Sequence, residues 1–344
     1  MKHTNTITSE GVAELFSFDS IKGWLRGPAQ VVFQGNALCG VLIIAALFVG
    51  AAVGGRIEVG WGAFVGLCVS TLTGHLLALP KNQGDSGLWG FNGTLVGAAM
   101  MTFLGSTVLG WIALILCAAM STWVRSALDR MLSAHKVSSL TGSFVLCSWL
   151  FLAAARQLGE MDIISLPAST LPTTVWMHHT HQAVSMNFLE TIFRGVSQVF
   201  LLDSWVAGVL IVLGLLASKP LAALWAIVGS AMASGVALLY GAPVHDVSQG
   251  LYAFSPILTA VALGATFYRP SVPGAIWTVL GTLATVFVQA AFDTFMAPVG
   301  LPTFTAPFCL TTWLFLLPLY RFDRDHKEHV NHSTWHRKES TSKP

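Results

Sequence analysis

Charge falls in clumps along this chain, and the stretches between them carry none. Residues 27–55, 86–124, 220–244 and 294–320 contain no Asp, Glu, Lys or Arg. Each exceeds the roughly 20 apolar residues that cross a bilayer as a helix. The pattern predicts helices near 37–54, 61–79, 104–123 and 141–154, with a further buried segment around 124–136. Further on it predicts helices near 199–217, 220–239, 258–267, 272–295 and 305–320. The 86–124 run is longer than one span needs. A short re-entrant helix is therefore placed near 91–102, with a matching one opening near Phe254.

The same pattern occurs twice. GLWGFNGTLVG (87–97) aligns with GLYAFSPILTA (250–260), which pairs Phe91 with Phe254 and Leu95 with Leu258. LRGPAQVVF (25–33) aligns with FRGVSQVFL (193–201), pairing Arg26 with Arg194 and Gln30 with Gln198. LTGSFVLCSWLF (140–151) aligns with FTAPFCLTTWLF (304–315), pairing Thr141 with Thr305, Phe144 with Phe308 and Trp149 with Trp313. Asp129 and Asp293 form an acidic pair in step with the last block. Three blocks in one order predict a duplicated fold. In an apolar chain, duplication points to a transporter or channel with its path between the halves.

Composition agrees with a membrane protein. Apolar residues make up 54% of the chain and charged residues 10%, against about 25% charged in soluble domains. The formal charge of +2 names no partner and gives no sign of nucleic-acid binding. Cys39, Cys68, Cys117, Cys147 and Cys309 all lie inside apolar runs, with no CxxC. They read as core residues and not as a disulfide or metal framework.

Lys2, Lys22 and Arg26 precede the first span, and a tail rich in Lys and Arg follows the last. By the positive-inside rule both ends are cytoplasmic and the number of spans is even. The polar start reads as an uncleaved, membrane-inserted N-terminus. Expected divisions are a cytoplasmic segment 1–25, a first repeat 26–155, an extracytoplasmic linker 156–193, a second repeat 194–320 and a cytoplasmic basic tail 321–344. With about five spans and one half-helix in each repeat, the halves are expected to be inverted. The fold class is then all-α, with a pore between inverted repeats.

The polar residues that recur are few. Gln30 and Gln198 are amides within apolar sequence, Phe91 and Phe254 aromatics, and Thr141 and Thr305 hydroxyls. Taken singly, each suits helix packing. Gly87, Gly90, Gly93 and Gly97 around Phe91 suggest broken backbone, which at membrane depth must be buried or line water. The recurrent set holds no ionisable group, so an ion would find no counter-charge. A flat, neutral, hydrogen-bonding solute fits, its faces against phenyl rings and its N–H groups passed between oxygens.

LPTFTAPF (301–308) resembles the LPxxTxPF signature of the urea transporter family, and QVVFQGN (30–36) and GFNGTLVG (90–97) are similar to that family's segments. The resemblance runs over about 25–320. It implies a homotrimer in a bacterial inner membrane, each subunit with ten spans, two half-helices and its own passive urea slot. On it, Gln30 and Gln198 stand near the two mouths, Phe91, Leu95, Phe254 and Leu258 form walls, and Thr141 and Thr305 mark the midplane. Phe33 is a further wall candidate, although its mate is Leu201. In the first half Ser138 and Ser143 replace Pro302 and Pro307 of the second. Gln198 stands where some members have a glutamate. The implied partners are urea and membrane lipid, with no cofactor.

Other features are weaker. His178, His179 and His181 suit a solvated loop or an acid sensor. Asp129 and Asp293 are expected to tie helix ends, and Arg26 and Arg194 to anchor them. No nucleophile elbow, HExxH or phosphate loop supports an enzyme. A channel for ammonia or another small amide is the alternative.

Overall fold

The computed structural model describes residues 18–171 and 186–318. His178, His179 and His181, the far N-terminus and the basic tail lie outside the described residues. Among the described residues, seven α-helices in the first half are followed by seven in the second, in the same order. The first set is α1 (Phe18–Gln30), α2 (Ala37–Val53), α3 (Ile57–Leu76), α4 (Lys81–Asp85), α5 (Phe91–Phe103), α6 (Val108–Leu132) and α7 (Gly142–Gln157). The second is α8 (Phe188–Gln198), α9 (Trp205–Ser218), α10 (Pro220–Leu239), α11 (Val244–Ser248), α12 (Phe254–Val261), α13 (Val272–Met296) and α14 (Ala306–Leu316). Helix α12 runs on as a π-helical turn, Ala262–Phe267.

Helices α3, α6, α10 and α13 are long and apolar enough to cross a membrane. Helices α6 and α13 have 25 residues each, about 38 Å at 1.5 Å per residue, against a hydrocarbon core of about 30 Å. Helix α5 has 13 residues, about 20 Å, and falls short of that thickness. Its residues 91–101 are all buried, the setting in which a non-spanning helix is tolerated at membrane depth. The chain is an integral, multi-pass, all-helical membrane protein.

Several expectations change. The segment 124–136 is not separate: α6 continues through it to Leu132 and ends in a 3₁₀ turn, Ser133–His135. Arg125 and Asp129 break the apolar pattern there, but they pair with each other at 3.0 Å on one helix face. The predicted helix at 258–267 and the short one opening at Phe254 are one element. Helices α1 and α8, absent from the hydropathy reading, begin at Phe18 and Phe188. Their mixed polar and apolar residues hide them from any search for apolar runs.

Helix starts follow local chemistry. Asn36, Thr107, Asn187, Ser204 and Ser271 each accept a backbone N–H at the first turn of the helix they precede, which satisfies donors the helix leaves unpaired. The glycines divide by role. Gly87 and Gly250 have φ of 86° and 81°, and an added Cβ would come within 2.7 Å of the Arg26–Gly27 backbone and 2.4 Å of the Gly195 nitrogen. These two are the breaks ahead of α5 and α12. Gly93 and Gly97 instead pack α5 on α3, where a Cβ at Gly97 would lie 1.9 Å from the Gly62 oxygen.

Across the halves, α2 packs on α9 and α7 on α14. Each of these helices therefore meets its own counterpart. The linker is tied to both halves, with Gly105 N bonding Asp162 O at 2.8 Å and Thr170 N bonding Ala297 O at 2.9 Å.

Candidate functional site

Gln30 is the last residue of α1 and Gln198 the last of α8. Both side chains are half-buried, and both make the same bond. Gln30 Nε2 donates to Ser86 O at 2.6 Å, and Gln198 Nε2 donates to Gln249 O at 3.1 Å. Each acceptor carbonyl directly precedes a positive-φ glycine, Gly87 or Gly250. Each amide thus holds the turn that launches a half-helix and keeps its Oε1 as an acceptor.

Three residues past each glutamine the chain enters the left-handed region, at Phe33 (φ 62°) and Leu201 (φ 59°). Non-glycine residues rarely adopt it. The kink carries the Phe33 ring to Phe267 and Phe308, 5.6 Å and 6.0 Å between centroids, both edge-on. A first-half residue so reaches two second-half rings.

Leu140 (φ 53°) and Phe304 (φ 48°) are left-handed too, and each is followed by a candidate threonine. Thr141 and Thr305 occupy the N-cap positions of α7 and α14 without capping through their side chains. Their hydroxyls meet each other instead, Oγ1 to Oγ1 at 2.6 Å. Both are buried, at 3% and 2% exposure. Thr141 also lies 3.3 Å from Cys309 Sγ.

Phe91 and Phe254 open the two half-helices, and Leu95 and Leu258 lie one turn on, fully buried. The polar residues next to the two phenylalanines are buried without partners among the described residues: Asn92 through both side-chain polar atoms and Ser255 through Oγ. None of the nine candidate residues lines a groove of about 740 Å³ against α6 and α7 or a cleft of about 340 Å³ beside His75 and Trp89.

Structure adds residues that were not singled out for the site. Trp149 Nε1 donates to Pro302 O at 2.8 Å and Trp313 Nε1 to Ser138 O at 3.0 Å, two crossed bonds between the halves. Arg56 donates to Thr102 O at 2.8 Å, at the end of α5. Lys219 donates to Ala265 O, the equivalent carbonyl of the second half. A basic group on C-terminal carbonyls complements the helix dipole. Arg125, behind Phe91, bonds Leu88 O. The tryptophans were already paired by the duplication, without a role, and reading it residue by residue at charged positions would have found the Arg56–Lys219 pair.

Arg26 donates to Asp85 O at 2.7 Å, whereas Arg194 pairs with Asp203 at 2.8 Å. Both anchor their helices, by different bonds. Asp129, in the last turn of α6, reaches past the 3₁₀ turn to accept Ser139 N at 2.9 Å.

The fold and these paired groups define a duplicated, multi-pass helical membrane protein whose halves meet through threonine hydroxyls, tryptophan N–H groups and aromatic rings, with Arg156 also donating to Gly300 O. Residues 21–320 match the urea transporter family, to which the chain belongs. It is 31% identical over 301 residues to urea transporter 1 of Ovis aries, covering 85% of this chain and 75% of that protein. To urea transporter 1 of Mus musculus it is 32% identical over 302 residues, with the same coverage. Membership places it among transport proteins, not enzymes.

Proposed function

We propose that this protein passes urea across the membrane passively, like a channel, through a narrow slot between its two halves. The observation that carries the reading is the 2.6 Å contact of Thr141 with Thr305. Equivalent hydroxyls can touch only where an axis relating the halves runs between them. With the contacts of α2 on α9 and α7 on α14, this supports a pseudo-twofold. Taking α1, α2, α3, α6 and α7 as five crossings and α5 as a half-helix, an odd number in each repeat, this reading has the repeats inverted with their axis in the membrane plane.

On this reading Gln30 and Gln198 stand near the mouths. Phe33, Phe91, Leu95, Phe254 and Leu258 wall the slot, and the threonine pair marks its middle. Urea is planar, neutral and rich in N–H groups. Phenyl faces admit its flat sides, and oxygens along the way replace the water it sheds, each bond worth about 1 kcal/mol net. An ion gains no counter-charge from this set. The protein is assigned to a bacterial inner membrane as a homotrimer with both termini cytoplasmic and the linker 156–193 outside.

Stopped-flow light scattering on proteoliposomes under an inward urea gradient tests this. Fast, saturable entry slowed by Gln30→Ala and Thr305→Val is the expected result. Entry no faster than in empty liposomes, with folded protein, would overturn it. The uncharged lining also suits ammonia or other small amides. Competition by methylated ureas and thiourea, present for urea and absent for ammonia, separates them.

A further inference from the structure

Four residues before each duplicated aspartate the halves part company: position 125 is Arg and its counterpart 289 is Gln. The Arg125 side chain is 3% exposed and pairs with Asp129 at 3.0 Å. It donates to Leu88 O at 2.9 Å and to Gln83 Oε1 at 3.4 Å. Its guanidinium carbon stands 5.6 Å from the Phe91 ring centroid. A planar cation is thus held by a carboxylate, a carbonyl and an amide oxygen against an aromatic face.

The second half repeats the surroundings without the cation. Leu251 stands for Leu88, Phe254 for Phe91, Asp293 for Asp129, and Asp246 for Gln83. Gln289 is too short to reach as far as an arginine. Its Nε2 is taken by Asp293 Oδ1 at 3.0 Å and Thr303 Oγ1 at 2.8 Å. Its Oε1, across the amide from those partners, is buried and unpartnered among the described residues, and the residue is 2% exposed. By the register of the two halves, Asp246 stands where Gln83 meets Arg125, on the short helix α11 ahead of Phe254. Its exposed neighbour His245 lies 3.4 Å from it. One half therefore balances an arginine with one carboxylate, while the other gathers two carboxylates and a bare amide oxygen.

We propose that the second half holds a seat for a small guanidinium-type cation, taken by Gln289 Oε1, Asp293 and Asp246 against Phe254. It corresponds to the place filled by the Arg125 head group in the first half. A metal ion is a poorer occupant, because among the described residues no three His, Cys, Asp or Glu side chains come together to hold one. The seat does not rest on the passage of urea, and its test reads binding and not flux.

The purified, detergent-solubilised protein is titrated with guanidinium chloride in the low millimolar range, with sodium chloride and urea as parallel titrants, while Tm is followed. The seat predicts a saturable rise in Tm of a few degrees with guanidinium alone. Gln289→Arg, which supplies the head group from the chain, should abolish that rise. Asp246→Asn, on an exposed turn, should weaken apparent affinity about tenfold by removing one charge, and it covers the case in which Gln289→Arg fails to fold. Absence of a saturable rise, or an equal rise in both variants, overturns the proposal. So does a rise with urea that shows the same dependence on the variants, since the ligand would then be neutral.

Discussion

Thr141 and Thr305 show how two ordinary residues acquire a role through their mates. Alone, each is a threonine at a helix start; together they share one hydrogen bond in a buried place. Removing the Thr141 hydroxyl takes from Thr305 its partner, at about 1–3 kcal/mol, and removing that of Thr305 leaves Thr141 only the weaker Cys309 sulfur, whereas removing both is milder. Thr141→Val and Thr305→Val should each lower Tm, and the double variant should lose less than the sum of the two, a coupling measurable in a thermal double-mutant cycle. Arg125 offers a second test. Arg125→Leu leaves Asp129 with Ser139 N alone and takes the donor from Leu88 O, and should destabilise by roughly 3 kcal/mol. Arg125→Gln copies the second half and should keep most of the lost stability, as read by Tm in detergent. The threonines were legible because they recur in identical form. The 125/289 pair was not, because Arg and Gln look unrelated until the three-dimensional partners are known.

At the level of elements, the long apolar helices were plain from charge-free runs, and α2, α3, α10 and α13 lie within a few residues of their expected places. The two amphipathic helices α1 and α8 were not, since their stability comes from one packed face and not from overall hydropathy. Helix α6 looked like two segments because its charges are neutralised within the fold, which a sequence does not display. Packing of the half-helix α5 depends on bare backbone. Gly97→Ala should therefore destabilise by about 1–3 kcal/mol through overpacking, since its Cβ would strike the Gly62 carbonyl. Gly235→Ala, with nothing within 4 Å, should be neutral or slightly stabilising by the gain in helix propensity. Paired denaturation curves for these variants separate crowding from propensity.

Over the whole molecule, the duplication extends beyond sequence identity into backbone geometry. Eleven described residues have positive φ. Ten of them fall into matched pairs: Phe33 with Leu201, Ala78 with Gly241, Gly87 with Gly250, Lys136 with Gly300 and Leu140 with Phe304. Only one of these pairs, Gly87 with Gly250, carries glycine in both halves, and a leucine or a phenylalanine does not advertise a left-handed turn. A passive path on a pseudo-twofold has no built-in direction. Urea flux in proteoliposomes should be the same with and without a proton gradient, and equal for inward and outward urea gradients of one size. Flux driven by protons would contradict the passive reading.

The crossed bonds of Trp149 and Trp313 carry one last consequence. Each tryptophan closes on a carbonyl that only the opposite half supplies, so the halves are mutual latches and neither is a finished fold. A chain severed between residues 171 and 186 should therefore behave as a split protein. Its two co-expressed fragments would find and hold one another, and replacing both tryptophans with Phe would loosen that hold, leaving it to the packing of α2 on α9 and α7 on α14.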